Sequence, residues 1–115
     1  MLIKHRQYFT YIITNSDFSV LYTGMTNNLP QRITEHYLNR GNPSSFAGKY
    51  YCYNLLYFKS FKYVNDSIAW EKRIKGWSRK KKEELIIDQN PSKRFLNEDI
   101  MEWPPAKDAT VRNEF

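Results

Sequence analysis

The chain has 115 residues and a mass of 13.9 kDa, carries a formal charge of +6 and is 17% aromatic. This is the length of one domain, it is too aromatic to stay disordered, and no apolar run approaches the ~18 residues of a membrane span, which excludes a transmembrane protein. Cys52 stands alone and His5 and His36 are the two histidines, which excludes an internal disulfide, a zinc finger and a Cys/His metal cluster.

In chain order, Met1 to Thr10 carries Lys4, His5 and Arg6 without an apolar signal core, so a cytoplasmic protein is expected rather than a secreted one. Tyr8 to Thr14 is β-branched and aromatic throughout and reads as a strand. Asn15-Ser16-Asp17 is a turn cluster, and Val20 to Met25 closes an antiparallel hairpin. Asn28 is an N-cap, with Pro30 in the first turn and Gln31 at the capping-box position. Leu29, Ile33 and Tyr37 then recur at i, i+4 and i+8, which predicts an amphipathic helix over 29–40. Arg32 and His36 are neighbours four apart and sit beside that stripe. The run from Gly41 to Ser45 breaks the helix.

Tyr51 to Phe61 is the third strand. Asn65-Asp66-Ser67 is expected to cap a second helix over 66–76, with Trp70, Ile74 and Trp77 on one face and Gly76 ending it. Ser78 caps a further helix to about Asp88, and Asn90-Pro91 stops it. The order ββαβαα implies an α+β fold, a small three-stranded antiparallel sheet flanked by three or more helices. Residues 1–90 are expected to form the domain and 91–115 a peripheral C-terminal tail. In that tail Phe95, Leu96, Ile100, Met101 and Trp103 are placed to cover a sheet edge or a partner subunit.

The charge is uneven. Residues 91–115 hold four basic and five acidic side chains, so the whole excess lies in residues 1–90. Lys72, Arg73, Lys75, Arg79, Lys80, Lys81 and Lys82 crowd one stretch, a pattern that points to a polyanion, most simply nucleic acid. The alternative for such a run is a solvated helix face. Eight aromatic side chains lie between Phe46 and Tyr63. Most must be core, and Tyr50 or Tyr51 beside Lys49 is placed to stack on bases.

Singly, Tyr11, Tyr22, Arg32, His36 and Glu71 are ordinary. Together they form a pattern. Phe9-Thr10-Tyr11 and, eleven residues on, Tyr22-Thr23-Gly24 resemble the paired signature of the GIY-YIG nucleases. Arg32 follows Tyr22 by ten residues and His36 by fourteen, and Glu71 matches the single metal-binding Glu of that family. Ile74-Lys75-Gly76-Trp77 and the bases after it resemble small stand-alone bacterial members, akin to the N-terminal domain of the excision-repair incision nuclease. The resemblance covers about residues 7–90. It departs from the pattern at Phe9 and Thr10, at Thr23, and at Met25, where the repair enzymes carry a Lys. Asn90 is the candidate for the late Asn of the family.

The resemblance implies an endonuclease that hydrolyses phosphodiester bonds of DNA with one divalent ion, Mg²⁺ or Mn²⁺. Glu71 would hold the ion, since a hard cation that keeps several waters needs few protein ligands. Arg32 would bind the scissile phosphate and offset its developing charge. Tyr22 would be the general base; a free phenol titrates near ~10, so it needs a neighbouring cation to serve at neutral pH. Tyr11 would orient water or phosphate, and His36 would either accept the phenolic proton or hold Tyr22. The basic run would supply salt-sensitive affinity. A homodimer or partner protein would supply target choice. Two other readings are a non-catalytic nucleic-acid-binding module on the same fold, which the loss of Lys at Met25 favours, and an interaction protein whose basic run keeps it dissolved.

Overall fold

The computed structural model describes residues 7–106, so Lys4, His5, Arg6 and the chain from Lys107 lie outside it. Strands β1 (Tyr8–Thr14), β2 (Leu21–Thr26) and β3 (Asn54–Phe61) form one antiparallel sheet in the order β2-β1-β3. The helices are α1 (Leu29–Leu38), α2 (Phe46–Lys49), α3 (Val64–Lys75), α4 (Arg79–Gln89) and α5 (Asn97–Ile100). The fold is α+β with the expected ββαβαα order, to which the short α2 and α5 are added.

Alternation along β1 divides the core. Tyr11 and Ile13 face a cluster with Leu29, Ile33, Ala47, Cys52, Leu55 and Leu96, which brings α1, α2 and the α5 segment onto one side. Ile12 faces Leu56, Tyr57, Ile74 and Ile86, with Trp70 and Trp77 against them, which brings α3 and α4 onto the other. A bulge shifts the register so that Ile12 pairs with Tyr57 and Ile13 with Leu55. The extra residue, Leu56, therefore joins Tyr57 in the α3–α4 cluster, where strict alternation would have separated them.

Local chemistry explains most element ends. The Asn28 side chain accepts from the Gln31 backbone N–H at 3.1 Å and so caps α1. The reciprocal half of a capping box is taken by Thr26, whose hydroxyl accepts from the Asn28 N–H at 3.1 Å. Ser78 caps α4 in the same way through Lys81 N–H. Three expectations are corrected. Helix α1 stops at Leu38, two residues early, because α2 folds back on its end. The third strand starts at Asn54, since Tyr51 sits at φ 58° and Cys52 N–H bonds Ala47 O to close α2. Helix α3 starts at Val64 without a side-chain cap, because Ser67 is drawn inward to Thr10. Gly76 ends α3 as expected, at φ −84°, a conformation open to any residue.

The outer edge of β3 is sealed by amide side chains. Gln89 makes both bonds to the Phe58 backbone, at 3.3 and 2.9 Å. Asn90 donates to Leu56 O at 3.1 Å. Asn97 accepts from Leu55 N–H at 2.8 Å and donates to Tyr53 O at 2.9 Å, while Leu96 N–H bonds Leu55 O at 2.8 Å. These side chains do the work of a fourth strand, so the edge is not left open to pairing with another chain.

Candidate active site

Gly24 pairs with Tyr11 across the β1–β2 ladder, and both face α1. A Cβ on Gly24 would stand 2.4 Å from the Tyr11 hydroxyl oxygen, so only glycine lets the ring cross β2 at this level. The crossing ring carries its hydroxyl to Nε2 of His36, 2.8 Å away. His36 sits between two tyrosines, with ring centroids 5.8 Å from Tyr11 and 5.6 Å from Tyr22, both edge-on. The expectation that His36 lies beside the apolar stripe of α1 is corrected, because its ring is buried against both tyrosines.

Burial sets the charge states. His36 is pushed down to about 4, first by desolvation and then by the Arg32 guanidinium, so the ring is neutral near pH 7. Burial also drives the Tyr11 phenol well above its ordinary value. The guanidinium of Arg32 pulls the other way, and the charges of Tyr22 and Glu71 add to the rise. A phenol held protonated donates to Nε2, which puts the ring proton of neutral His36 on Nδ1.

Tyr22, Arg32, Glu35, His36, Asn39 and Phe46 line a cavity of about 390 Å³ where β2, α1 and α2 meet. Arg32 is held by an ion pair to Glu35 at 3.0 Å, the i,i+3 spacing of one helix face. On the other side of the sheet, Thr10 is wholly buried and its hydroxyl donates to Ser67 O at 2.9 Å. That proton being used, the Ser67 hydroxyl donates back at 3.0 Å. This pair of hydrogen bonds locks α3 to β1, and Glu71 lies one turn further along α3. Its side chain is 19% exposed, and its carboxylate pairs with Lys75 at 3.0 Å. Its charge is felt at the Tyr11 hydroxyl.

The basic run divides by what each side chain touches. Arg79 donates to the carbonyls of Phe18 and Ser19 and pairs with Glu83 at 2.8 Å, which fastens α4 to the β1–β2 turn. Lys75 is occupied by Glu71. Arg73 lies over Trp70 and Lys81 over Trp77. Lys72, Arg73, Lys80, Lys81 and Lys82 make no ion pair among the described residues. Asn90 is buried, with its amide spent on Leu56 O and Arg94 O. Met25 is half-buried on β2 opposite Thr10.

The family model described as the GIY-YIG catalytic domain matches residues 7–84. The chain belongs to the GIY-YIG nuclease family. A UPF0213 protein of Bacillus pumilus is 33% identical over 95 residues, covering 83% of this chain and 93% of its own. Another, from Pediococcus acidilactici, is 35% identical over 75 residues, covering 65% of this chain and 76% of its own. A UPF0213 protein of Bacillus halodurans, solved by NMR in solution, is 28% identical with a TM-score of 0.46, covering 73% of this chain and 86% of its own. No helix among the described residues is long and apolar enough to cross a membrane.

The spacing of this GIY-YIG chain points to Arg32 and His36 but passes over Glu35 and Phe46, which also line the cavity. Glu35 has a sequence signal, an acid three residues after an Arg on a helix. Phe46 has none, since its place depends on α2 folding back toward β2.

Proposed function

We propose that the chain is a metal-dependent DNA endonuclease, working in the cytoplasm, with Tyr22 as general base, Arg32 on the scissile phosphate and Glu71 as the metal ligand. One observation carries the reading: Tyr22, Arg32 and His36, from a strand and a helix, line the same cavity. A solvated basic face needs no such convergence.

The carboxylate of Glu71 suits a hard divalent ion. It is an oxygen donor on a half-buried side chain, and its partner is an exposed lysine whose i,i+4 pairing is worth about 0.3–0.5 kcal/mol. No group of three or more His, Cys, Asp or Glu gathers among the described residues, so an ion held by Glu71 would rest on few protein ligands, which fits Mg²⁺ or Mn²⁺ completed by water and phosphate. When bound, such an ion supplies Lewis-acid polarisation of the phosphoryl oxygen.

The remaining work falls to the chain. Arg32 exchanges its exposed Glu35 partner for the phosphate, a better match to its planar fork of donors. Tyr11 is held protonated by burial and bound to His36, so it positions and does not act as the base. That leaves Tyr22 as the base: its phenolate, formed once the phenolic proton has gone to solvent, takes the proton of the attacking water. Lys72, Arg73, Lys80, Lys81 and Lys82 add sequence-independent affinity for the backbone.

The second reading, a nucleic-acid-binding module without catalysis, is favoured by the ion pairs that occupy Arg32 and Glu71 and by Met25. One pair of assays on the same samples separates the two. Glu71→Gln keeps volume and removes charge. A nuclease loses at least ~10²-fold in Mg²⁺-dependent cleavage, with DNA affinity kept or slightly raised. A binding module shows no metal-dependent cleavage in the parent. A Gln variant that cuts as fast as the parent sinks the assignment of Glu71.

A further inference from the structure

Phe46 forms one wall of the candidate cavity yet leaves 53% of its surface in solvent. Its ring is nearly parallel to that of Tyr22, at 27° with centroids 6.1 Å apart, and Tyr50 lies 4.9 Å from it on a tilt. Tyr50 is also exposed, and Lys49 holds its ammonium 5.3 Å from the Tyr50 ring. Aromatic rings exposed together on the wall of a cavity that also holds a guanidinium suit a flat, anionic ligand.

The platform is rigid. Ser45 accepts from the Gly48 N–H and from the Asn39 amide, each at 3.0 Å. Gly41 N–H bonds Gly48 O at 2.8 Å. A Cβ on Gly48 would stand 2.7 Å from Asn39 O, so glycine there lets α2 close against the end of α1. The backbone that carries the two rings is thus held before any ligand arrives, which lowers the cost of ordering them.

We propose that Phe46 and Tyr50 form a stacking platform for an unpaired base next to the scissile phosphate, so that the DNA cut here has an unpaired nucleotide at the site. This rests on the nuclease reading and specifies its substrate. The chemistry is selective. A base inside a duplex has both faces covered by its neighbours, whereas an unpaired base offers a free π-face. Its phosphate is then in reach of the cations of the same cavity, Arg32 and the rim Lys49. An apolar protein segment would instead bury the Arg32–Glu35 pair without replacing its hydration.

The test is fluorescence anisotropy in EDTA, so that no cleavage intervenes, with a labelled single-stranded oligodeoxynucleotide and its duplex. Phe46→Ala should weaken single-strand binding by about 5- to 150-fold and leave duplex binding unchanged. Phe46→Trp should restore the single-strand affinity, and Tyr50→Ala should give a smaller loss of the same kind. A single abasic residue moved along the strand should find one position where the parent loses affinity and Phe46→Ala loses nothing further. Equal losses on single strand and duplex, no loss at all, or no rescue by Trp in a variant that melts like the parent would overturn the inference. If the parent binds DNA without regard to Phe46, the platform fails while the nuclease reading stands on its cleavage assay. If the parent binds neither form, both fail.

Discussion

The two faces of the sheet draw on alternate residues of one strand, yet they bury different chemistry. On the α3–α4 side Ile12 meets aliphatic, indole and phenol surface, and the polar groups there pair locally, Thr10 with Ser67 and the Tyr57 hydroxyl with the Trp70 N–H. On the α1–α2 side Tyr11 brings a phenol inside, His36 meets it, and Arg32 holds its charge at the border. The first arrangement ties a helix to a sheet. The second keeps titratable groups dehydrated and close together, which serves function better than stability. Glu71 stands on α3 and does not line the cavity, and its charge adds the least to the rise at the Tyr11 hydroxyl.

The comparison breaks most visibly in activity. Arg32→Ala on the reactive side should cut cleavage by ~10²–10³-fold and also weaken binding. Replacing Lys80, Lys81 and Lys82 by Ala on the packing side should leave the cleavage rate at saturating DNA nearly intact. It should flatten log affinity against log salt by up to ~3, about 0.9 for each phosphate no longer neutralised. Arg79 is left out of that set because it secures the β1–β2 turn. A triple variant with an unchanged salt slope would make the run a solvated face.

Stability against pH sharpens the same contrast. His36 titrates near 4 when folded and near 6.5 when unfolded, so the unfolded chain binds the extra proton first as pH falls. Its penalty is absent above about pH 6.5 and grows to roughly 3 kcal/mol at pH 4 and below. Urea midpoints at pH 7 and pH 4 should therefore draw together in His36→Gln. An equal gap in parent and variant would place the acid sensitivity elsewhere.

The β3 edge supports both faces. Asn97→Ala leaves the buried Leu55 N–H without a partner and should cost about 2 kcal/mol in denaturant unfolding, whereas an exposed Asn would cost almost nothing. The division of the chain at residue 90 is tested at the same place. A chain ended after Asn90 that still melts cooperatively supports it, and one that does not fold moves the boundary beyond Asn97.

The smallest effect has the opposite sign. Thr23 is buried on the packing side of β2, and its hydroxyl finds no partner among the described residues. Thr23→Val should raise the urea midpoint by an amount equivalent to about 1 kcal/mol. A destabilised variant would mean that the hydroxyl has a partner in solution.

The elements were legible where the signal is local. Asn28 and Ser78 cap helices because a side-chain oxygen lies within reach of a backbone N–H three residues on. The strands at Tyr8–Thr14 and Leu21–Thr26 follow from β-branched and aromatic runs around a turn. The register of Tyr11, Tyr22, Arg32, His36 and Glu71 was legible only through its resemblance to the GIY-YIG signature, which also pointed to the family. The sequence could not show that His36 is buried, because its place depends on Gly24 letting the Tyr11 ring cross a neighbouring strand. Nor could it show that Phe46 lines the cavity, that Arg79 is committed to a turn sixty residues back, or that three distant amides seal β3. Each is a long-range arrangement that leaves no period in the chain and is fixed only when the layers pack. The sequence by itself determined the elements and the residue types brought to the candidate site. The tertiary structure decided which of them are dehydrated, which are paired, and which face the cavity, because burial and charge states follow from neighbours in space.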